Sequence, residues 1–481
     1  MRVAKTKILI VAPRFKDTNE INYDYMFPLG LGHISSVLKK AGYEVDCLNL
    51  NHYNGTMEEL VDNELNKNNY DFVCTGGMTF GYSFIKQIID TVKKHSSKAR
   101  TIVGGLIVTS EPELMFDLLD PDFAVIGEGE ETICELLDCI GKQDDFRKVK
   151  GVLFRDGEGK IVFTGRREGI QDLDSLPYSD FEGLEFENYL DNLYCNCLPL
   201  AAHNSFDHPR VYPMLGSRGC PFNCTFCYHY DKYRKRSVES IKQELHKMVK
   251  RYRINRILFF DECLALDKER LRAICKIIKD LRDEVSWELK WAPQLTVHGV
   301  DEEILYELRD SGADTISYGF ESMSPVVLKS MHKPITPEMI SSVFHNTLKA
   351  GLGVIGNFIF GDIAETKETA QATLDWWRKN SKGQIDLLFI QPYPGSKIYE
   401  HCVQKGIIKD KVDFIKNRMR TSNWYNMTDK MSDEEIKQLK NMVIVLNLKC
   451  RYFANPISIK KTRKNVYELK VKCPFCKNIL V

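Results

Sequence analysis

Short apolar runs alternate regularly with amphipathic segments between residues 7 and 141. Runs such as "KILIVAP" and "RTIVGG" end in proline or glycine, and segments with helical periodicity, such as "GYSFIKQIIDTVKKHS", separate them. Buried strands joined by helices form a parallel sheet that is covered on both faces. The alternation therefore predicts a doubly wound α/β domain, in which ligands bind at the carboxyl ends of the strands.

Glycines gather at these strand ends. They occur at positions 30 and 32, 76 and 77, 104 and 105, and 127 and 129. Tight turns between strands and helices would account for some of them. Four consecutive glycine-marked ends favour a bulky ligand that lies flat across the edge of the sheet.

The rest of the chain predicts a second α/β unit. Residues 149–165 indicate a hairpin around Asp156-Gly157, and an irregular connector follows to about residue 209. Six strand–helix units then run from residue 211, which favours a complete or partial β/α barrel with its site at the carboxyl ends of the strands. We therefore predict a doubly wound domain at 5–145, a hairpin and connector at 146–208, a barrel at 209–430 and a helical tail with a cysteine pair at 431–481.

Composition excludes several classes of protein. The chain has 481 residues and a net charge of +1, from 67 basic and 66 acidic residues, which gives no support to a nucleic-acid partner. No run approaches the roughly 20 apolar residues that span a bilayer, so we expect a cytoplasmic protein without a transmembrane segment. The 15 cysteines do not resemble a secreted disulfide framework. Several lie in apolar strand or helix patterns and are expected to be small buried hydrophobes: Cys47, Cys74, Cys134, Cys139 and Cys275.

Three cysteines stand apart because of their spacing. Cys220, Cys224 and Cys227 fall within "GCPFNCTFC", directly after the first predicted barrel strand. Three thiolates could hold a tetrahedral zinc with a fourth ligand, or three irons of a cubane cluster. His229 is the one close candidate for a fourth zinc ligand, and its position next to the cysteines makes the geometry awkward. A [4Fe–4S] cluster instead leaves one iron open for a substrate or cofactor, which accounts for three cysteines.

The C-x3-C-x2-C motif resembles the signature of the radical S-adenosylmethionine (SAM) superfamily. Several further segments resemble later barrel strands of that superfamily, including "ILFFDECLALDKERL", "SYGFESMSPVVLKSMHKPIT", "NFIFGDIAET" and "IQPYPGSKIYE". The resemblance implies that Cys220, Cys224 and Cys227 ligate a [4Fe–4S] cluster and that SAM binds its open iron. No side chain is assigned as a catalytic acid or base.

The resemblance also implies contacts with SAM, although Met323 stands where relatives usually have glycine after the Glu-Ser pair. Phe226 would lie near the adenine, and Phe260, Asp261 and Glu262 would approach the amino group. Arg236 and Ser237 would reach the carboxylate, and Glu321 and Ser322 the ribose or methionine part. An acidic residue at a strand end can equally serve a helix terminus, and that alternative stays open for Glu262, as a structural role does for Arg236.

The N-terminal segment "PLGLGHISSVLKKAGYEVDCLNL" resembles a cobalamin-binding domain, as do "IVGGLIVTSEPELM" and "VIGEGEETICELL". The Asp-x-His-x-x-Gly motif that supplies a histidine to cobalt is missing, and His33 is expected to pack on a helix. The alternative is a vestigial sheet with a structural role. The resemblance implies that cobalamin is contacted by Leu29, Gly30, Leu31, Thr75, Gly76, Gly77, Gly104, Gly105, Gly127, Glu128 and Gly129.

Together these resemblances imply an enzyme that cleaves SAM to a 5′-deoxyadenosyl radical and, with cobalamin, methylates or otherwise modifies an unactivated carbon. The implied partners are a small-molecule or lipid-like substrate and a reductant such as flavodoxin or ferredoxin. One alternative is a radical SAM enzyme with a vestigial cobalamin domain that performs cyclisation or carbon–carbon coupling. Another is a zinc-stabilised binding protein without redox chemistry.

The remaining cysteines and tryptophans carry weaker signals. Cys473 and Cys476 form one zinc knuckle, but two further ligands are not evident, so a truncated ribbon, a site completed by another chain and a free pair stay open. Cys195 and Cys197 lie in the connector and are expected to be ordinary cysteines. Trp376 and Trp377 are expected to be packing residues.

Overall fold

The structure is a computed structural model of the chain. It describes residues 6–95, 98–191, 206, 208–228, 231–381, 383–419, 425–449, 456–463, 466–472 and 479–480. Cys195, Cys197, His229, Cys473 and Cys476 lie outside the described residues, so the predictions for them stay predictions.

Strands occur throughout the described chain. They are β1 (Lys7–Ala12), β2 (Glu44–Asn49), β3 (Phe72–Gly76), β4 (Arg100–Gly104), β5 (Phe123–Val125), β6 (Val152–Arg155), β7 (Ile161–Phe163), β8 (Val211–Met214), β9 (Ser217–Arg218), β10 (Arg234–Lys235), β11 (Arg256–Phe259), β12 (Lys290–Ala292), β13 (Gln294–Leu295), β14 (Thr315–Glu321), β15 (Gly353–Phe360), β16 (Ile385–Phe389), β17 (Pro456–Arg463), β18 (Val466–Lys472) and β19 (Ile479–Leu480).

Helices separate most of these strands. They are α1 (Leu29–Lys40), α2 (Met57–Lys67), α3 (Tyr82–Lys94), α4 (Leu106–Thr109), α5 (Pro112–Leu119), α6 (Glu130–Lys142), α7 (Phe186–Asp191), α8 (Val238–Arg251), α9 (Lys268–Glu284), α10 (Glu302–Asp310), α11 (Pro325–Ser330), α12 (Pro337–Lys349), α13 (Lys367–Asn380), α14 (Lys397–Gln404), α15 (Lys411–Asp413) and α16 (Asp433–Lys449). Many of these helices start at a residue whose side chain caps the helix, as in the capping box of Thr56 and Glu59 at α2.

The first sheet has the strand order β2-β1-β3-β4-β5-β6-β7. The first five strands are parallel, and β6 and β7 add to β5 as an antiparallel hairpin. The doubly wound domain and the hairpin of the sequence analysis are therefore present, and the hairpin extends the first sheet. β1 is an apolar run whose residues Ile8–Ala12 are buried because helices cover both faces of the sheet.

The second unit is a partial barrel of parallel strands in chain order. β8, β11 and β12 form one ladder, and β13 to β16 form the next. Pro293 interrupts the strand between β12 and β13, since proline has no N–H to donate to a ladder. An isolated parallel β-bridge between Trp291 and Ala313 joins the two ladders across this break. Among the described residues no ladder joins β8 to β16, so the arc is open, as a partial barrel requires.

The connector contributes more to the core than its irregular sequence suggests. Phe181, Phe186 and Tyr189 join Phe27 of the first domain and Tyr212 of β8 in one apolar cluster. Ring centroids of Phe27 and Phe181 lie 5.2 Å apart, and those of Phe181 and Tyr212 also lie 5.2 Å apart. These aromatic contacts pack the first domain against the barrel.

The carboxyl-terminal part departs from the sequence analysis in one respect. The predicted tail helix is present as α16, and Asn447 binds the backbone of Leu387 on β16. The antiparallel sheet of β17, β18 and β19 was not predicted. Its strands combine apolar residues with lysines in a segment that the sequence presents as a basic stretch. No helix within the described residues has both the length and the apolar character needed to cross a bilayer.

Candidate functional site

The three cysteines lie on a loop that leaves the partial barrel at its carboxyl end. Its described residues are 219–228 and 231–233, and the antiparallel pair β9 and β10 forms its stem. Gly219 starts the loop with φ of 76°, and a Cβ there would lie 2.7 Å from the Lys232 carbonyl oxygen, so the stem needs glycine at this position. The motif therefore lies where the barrel rule places chemistry.

Backbone hydrogen bonds fix the centre of the loop. The Thr225 N–H donates to the Met331 carbonyl over 3.0 Å, and the Thr225 carbonyl accepts from the Ile398 N–H over 3.0 Å. Thr225 lies between Cys224 and Phe226, so these bonds hold the cysteine motif between the end of α11 and the start of α14. The three thiols are thereby supported by the barrel before any ligand binds.

The thiols of this loop are held in a partly desolvated setting. Cys224 is buried, Cys220 is half-buried, and Cys227 opens into a cavity. Burial raises the pKa of Cys220 and of Cys224. The surrounding protein atoms, which partly desolvate the thiol, and the neighbouring Cys224 also raise the pKa of Cys227, to about 12. Three thiolates are therefore stable here only with compensating positive charge, which bound metal supplies.

All three cysteines line one cavity of about 450 Å³ between the two halves of the chain. Residues that follow β3 and β4 of the first sheet form the opposite wall, among them Met78, Phe80 and Leu106. Most of the remaining lining is apolar or aromatic, which suits a site that excludes water. The cavity is also lined by Thr79, Ser110, Phe222, Phe226, Tyr228, Glu262, Gln294, Leu295, Thr296, Val297, His298, Gly319, Glu321, Lys333, Pro334, Ile335, Tyr393 and Pro394.

A buried ion pair lines this cavity beside the cysteines. Lys333 Nζ lies 3.1 Å from Glu321 Oε1. Glu321 ends β14 at a register shift and has φ of 66°, a left-handed conformation that a non-glycine residue adopts at a cost. A Cβ at Gly319 would lie 2.9 Å from Lys333 Nζ, so glycine leaves room for the pair. Burial alone would lower the pKa of Lys333, but the charge of Glu321 outweighs it and raises that pKa.

The structure brings three of the predicted SAM contacts to the cavity, namely Phe226, Glu262 and Glu321. Phe260 packs beside the small cluster of Val211, Leu258 and Ala292. The other four, Arg236, Ser237, Asp261 and Ser322, do not line the cavity and have partners of their own.

Two of these four residues support the start of the cysteine segment and the following helix. Asp261 accepts from the Gly216 N–H and the Ser217 hydroxyl, and burial raises its pKa to about 6. Arg236 pairs with Glu244 and donates to the Leu215 carbonyl.

The other two bind helix backbones or side chains. The Ser237 hydroxyl accepts from the Ser240 N–H and caps α8. The Ser322 hydroxyl accepts from the Ser324 N–H and lies 3.3 Å from the Thr373 hydroxyl. The resemblance alone could not separate these four from the residues that line the cavity.

The predicted cobalamin contacts divide in a similar way. Gly105, Gly127 and Glu128 line a smaller cavity of about 280 Å³ that shares Leu106 and Cys220 with the larger one. Gly105 and Gly127 have φ of 88° and 87°. An added Cβ at Gly105 would lie 2.9 Å from the Gly77 carbonyl oxygen, so glycine lets the turn after β4 stay close to the neighbouring strand end, where this cavity opens.

Other predicted cobalamin contacts serve packing. The Thr75 hydroxyl donates to the Val11 carbonyl and is buried. Gly76 faces Gly104 across neighbouring strand ends, and Gly77 packs closely against Phe15. Leu29 begins α1 and lines a separate narrow cleft together with His33. Gly30, Leu31 and Gly129 also lie outside the two cavities.

The donor set fits an iron–sulfur cluster better than a single zinc. Within the described ranges, no group of three His, Cys, Asp or Glu side chains is gathered closely enough to hold one metal ion. A tetrahedral zinc needs four ligands that converge on one point, whereas a cubane cluster binds each cysteine at a different iron. The three cysteines around one cavity are therefore suited to hold such a cluster.

Several residues of the cavity were missed by the sequence analysis. Lys333 carried no motif of its own, although it lies in a segment that resembles the fourth barrel strand of the superfamily. Tyr228 directly follows Cys227, and its hydroxyl donates to the Thr109 carbonyl over 3.2 Å; adjacency to the motif could have indicated it. Met78 and Leu106 follow predicted glycine-marked strand ends and could have been found by extending those segments.

The packing predictions are confirmed in part, because Cys47, Cys134 and Cys139 are only half-buried against an apolar cluster. Cys74 and Cys275 are buried in apolar surroundings. The Trp377 indole N–H donates to the Ile385 carbonyl over 2.7 Å, and that of Trp376 donates to the Ser341 hydroxyl over 2.9 Å. Neither tryptophan lines the cysteine cavity.

A buried carboxyl group near the barrel edge predicts a pH dependence of stability. Glu365 follows β15, accepts from the Gly361 N–H and the Thr369 hydroxyl, and has a pKa that burial raises to about 7. The folded chain thus favours the protonated acid more than the unfolded chain does. Its contribution to the free energy of unfolding is complete below pH ~4.5 and is lost as pH rises through about 7.

Glu365→Gln should therefore flatten the pH dependence and raise the free energy of unfolding at pH 8 by on the order of 2 kcal/mol. Anaerobic urea unfolding at pH 5 and pH 8 measures the difference. Glu158→Gln, at an exposed turn position, is the control and should leave the dependence unchanged. Parallel pH profiles for Glu365→Gln and the unsubstituted chain would contradict this account.

Comparison with known proteins identifies the same two regions. Residues 214–376 match the family model of the Radical SAM superfamily, and residues 21–137 match that of the B12 binding domain. An uncharacterized methyltransferase of Pyrococcus horikoshii is 26% identical over 450 residues, which cover 92% of this chain and 90% of the relative. The cytidylyl-2-hydroxyethylphosphonate methyltransferase of Streptomyces wedmorensis is 25% identical over 467 residues, with 86% and 84% covered.

A solved structure shares the fold. The radical SAM methyltransferase TsrM from Kitasatospora setae, which was solved with cobalamin and a [4Fe–4S] cluster bound, aligns with a TM-score of 0.67 and 17% identity. The alignment covers 84% of this chain and 79% of that one. At this identity the likeness concerns the arrangement of the two domains.

Proposed function

Because this chain is a member of the radical SAM superfamily and carries a B12 binding domain, we propose that it methylates an unactivated carbon of a small molecule. The observation that carries the proposal is the shared cavity. The three cysteines of the barrel and the carboxyl edge of the first sheet open onto the same space. A methyl transfer that uses two cofactors needs both bound within reach of one substrate.

When bound, the cluster and cobalamin supply one-electron cleavage of SAM and a transferable methyl group. Cys220, Cys224 and Cys227 would hold the cluster, and Gly105 and Gly127 would admit cobalamin at the sheet edge. The other residues of the cavity would bind and orient SAM and the substrate, and they would exclude water. The apolar wall keeps solvent from reactive carbon centres.

For SAM itself we propose a smaller set of contacts than the sequence suggested. Glu321, Glu262 and Lys333 present charge to the cavity next to the cysteines, and Phe226 presents an aromatic face. The carboxylates suit the amino group and ribose hydroxyls of SAM, and the ammonium of Lys333 suits its carboxylate. Arg236, Ser237, Asp261 and Ser322 then act by holding the cysteine segment and the surrounding helices in place.

The relatives support a small-molecule substrate. One of them is named for methylation of a cytidylyl phosphonate. For this chain the mainly apolar cavity favours a substrate with an extensive carbon surface. We also propose a cytoplasmic location, where thiols stay reduced, and a low-potential electron donor such as flavodoxin or ferredoxin.

Anaerobic purification with analysis of iron, cobalt and SAM products tests the proposal. We expect about four irons per chain, absorbance of an iron–sulfur cluster, and cobalamin retained after incubation with hydroxocobalamin. Dithionite and SAM should give 5′-deoxyadenosine, and methyl-labelled SAM should transfer its label to cobalamin. A chain that stays free of iron after reconstitution would exclude the proposal. A cluster-loaded chain that never retains cobalamin would favour cyclisation or carbon–carbon coupling instead.

A further inference from the structure

A network of buried charges joins the first domain to the cysteine loop. Glu128, which follows β5, lies 3.2 Å from Arg218 through Oε1 and Nη1. Arg234 binds the same carboxylate with both terminal nitrogens, each over 2.9 Å. Glu130, at the start of α6, pairs with the other terminal nitrogen of Arg218. The carboxylate of Glu128 is therefore shared by two arginines of the barrel.

The two arginines form the stem of the loop that carries the cysteines. Arg218 ends β9, Arg234 begins β10, and they are direct partners in the antiparallel pair. Like charges directly opposite each other on paired strands repel. Glu128 lies between them and compensates both charges. Without it, the stem formed by β9 and β10 would hold two opposed cations with less negative charge beside them.

The network also fixes the connector. The Ile170 N–H donates to Glu128 Oε2 over 2.7 Å, and the Ile170 carbonyl accepts from Arg234 Nη1 over 2.6 Å. A Cβ at the preceding Gly169 would lie 2.6 Å from Arg234 Nη1, so glycine allows this close approach. The sheet edge, the cysteine loop and the connector thus meet at one carboxylate.

The surroundings make this pairing stronger than a surface ion pair. The exposed fractions of the side chains are 15% for Glu128, 7% for Glu130, 19% for Arg218 and 8% for Arg234. Burial alone would raise the pKa of Glu128, but hydrogen bonds from Arg234 and the charge of Arg218 outweigh it and lower that pKa. Removing one partner of a buried pair leaves an uncompensated charge and costs far more than breaking an exposed pair.

We propose that Glu128 is a positioning residue that ties the cysteine loop to the carboxyl edge of the first sheet and so sets the separation between the two cofactor sites. The carboxylate acts through its ion pairs with Arg218 and Arg234, which connect the first domain to the barrel. The resemblance had implied a direct contact between Glu128 and cobalamin instead. This inference rests on the proposed function, since the loop is taken to carry the cluster. The inference concerns the position of the cysteine loop and leaves the proposed chemistry of the cluster unchanged.

The test uses Glu128→Gln in the full chain, reconstituted with iron, sulfide and hydroxocobalamin. Glu111→Gln is the matched control, because Glu111 also joins the first domain to a later segment by an ion pair with Lys411, 2.7 Å away, and lies outside the cysteine loop. Four measurements apply to each variant: iron and cobalamin per chain, the electron paramagnetic resonance signal of the reduced cluster with and without SAM, hydrogen exchange over residues 219–233, and 5′-deoxyadenosine formation.

We expect Glu128→Gln to retain cobalamin and iron but to show faster exchange in the loop, an altered resonance signal with SAM, and 5′-deoxyadenosine formation lowered about 10- to 100-fold, the size of effect that loss of a supporting partner of metal ligands has. Glu111→Gln should match the unsubstituted chain. The double variant Glu128→Gln/Arg234→Gln removes one of the opposed charges and should recover part of the signal and activity.

Each other outcome overturns the inference. Loop exchange and resonance in Glu128→Gln that equal those of Glu111→Gln would show that the carboxylate does not position the loop. Additive losses in the double variant would show that charge repulsion in the stem is not the cause. If the unsubstituted chain binds no iron, the proposed function itself fails, so the two failures are distinguishable.

Discussion

Cys224→Ala should leave the reconstituted chain without a stable cluster and reduce SAM cleavage to background. Cys224 is the middle and most buried of the three cysteines, and its neighbour Thr225 carries both backbone bonds that fix the loop. Three thiolates are the minimum set that holds a cubane cluster with one open iron. Iron content, absorbance and 5′-deoxyadenosine formation under strict exclusion of oxygen measure the effect.

Cys402→Ala is the matched control for this prediction. Cys402 is buried in an apolar cluster with Ile398 and Tyr399 and does not line the cavity. Its replacement removes a buried sulfur without touching the proposed cluster site, so iron content and SAM cleavage should persist. Iron-loaded Cys224→Ala that still cleaves SAM would remove the basis for the assigned ligands.

The architecture could be predicted because it depends on patterns that extend over many residues. Apolar runs between amphipathic helices specify a parallel sheet whatever their detailed packing, and both α/β units appear with strand ends within a few residues of the expected ones. The C-terminal sheet was missed. Apolar and polar residues do alternate there, as in Ile457-Ser458-Ile459-Lys460 and Leu469-Lys470-Val471-Lys472, but the many lysines led to its interpretation as a basic stretch.

The candidate site could be predicted only in part. Cys220, Cys224 and Cys227 are identified by spacing along the chain, which sequence displays directly. The partners of a charged side chain depend on which distant segments meet. Glu128 and Arg218 are 90 positions apart in sequence, and Arg236 pairs with Glu244 on its own following helix. The resemblance implied ligand contacts for Glu128 and Arg236, and only the packed structure shows the ion pairs that engage them.

Gly76→Ala should abolish most cobalamin binding while leaving the cluster in place. Gly76 and Gly104 are partners at the carboxyl ends of β3 and β4. A Cβ at Gly76 would lie 2.9 Å from the Gly104 carbonyl carbon and closer still to its oxygen. Backbone atoms cannot rotate away as a side chain can, so the two strand ends must separate. Overpacking of this kind costs about 1–3 kcal/mol of the free energy of unfolding.

The functional consequence should exceed the loss of stability, because the displaced strand ends lead into the proposed cobalamin site. Gly105 directly follows Gly104, and Leu106 after it lines both cavities. We expect retention of hydroxocobalamin after gel filtration to fall at least about tenfold, as for other losses of the shell around a cofactor. Iron content should stay unchanged, since the cysteine loop is anchored to the barrel at Met331 and Ile398.

Gly157→Ala separates this effect from a general effect of adding a methyl group. Gly157 lies in the turn between β6 and β7, where an added Cβ would meet nothing within 4 Å, so cobalamin retention should equal that of the unsubstituted chain. If Gly76→Ala retains cobalamin as well as Gly157→Ala does, the sheet edge is not the cobalamin site. If Gly76→Ala loses iron and cobalamin together, the strand ends support the whole fold, and the edge has no separate role in binding. Loss of cobalamin alone requires that the two cofactors be held by different domains and meet only across the shared cavity.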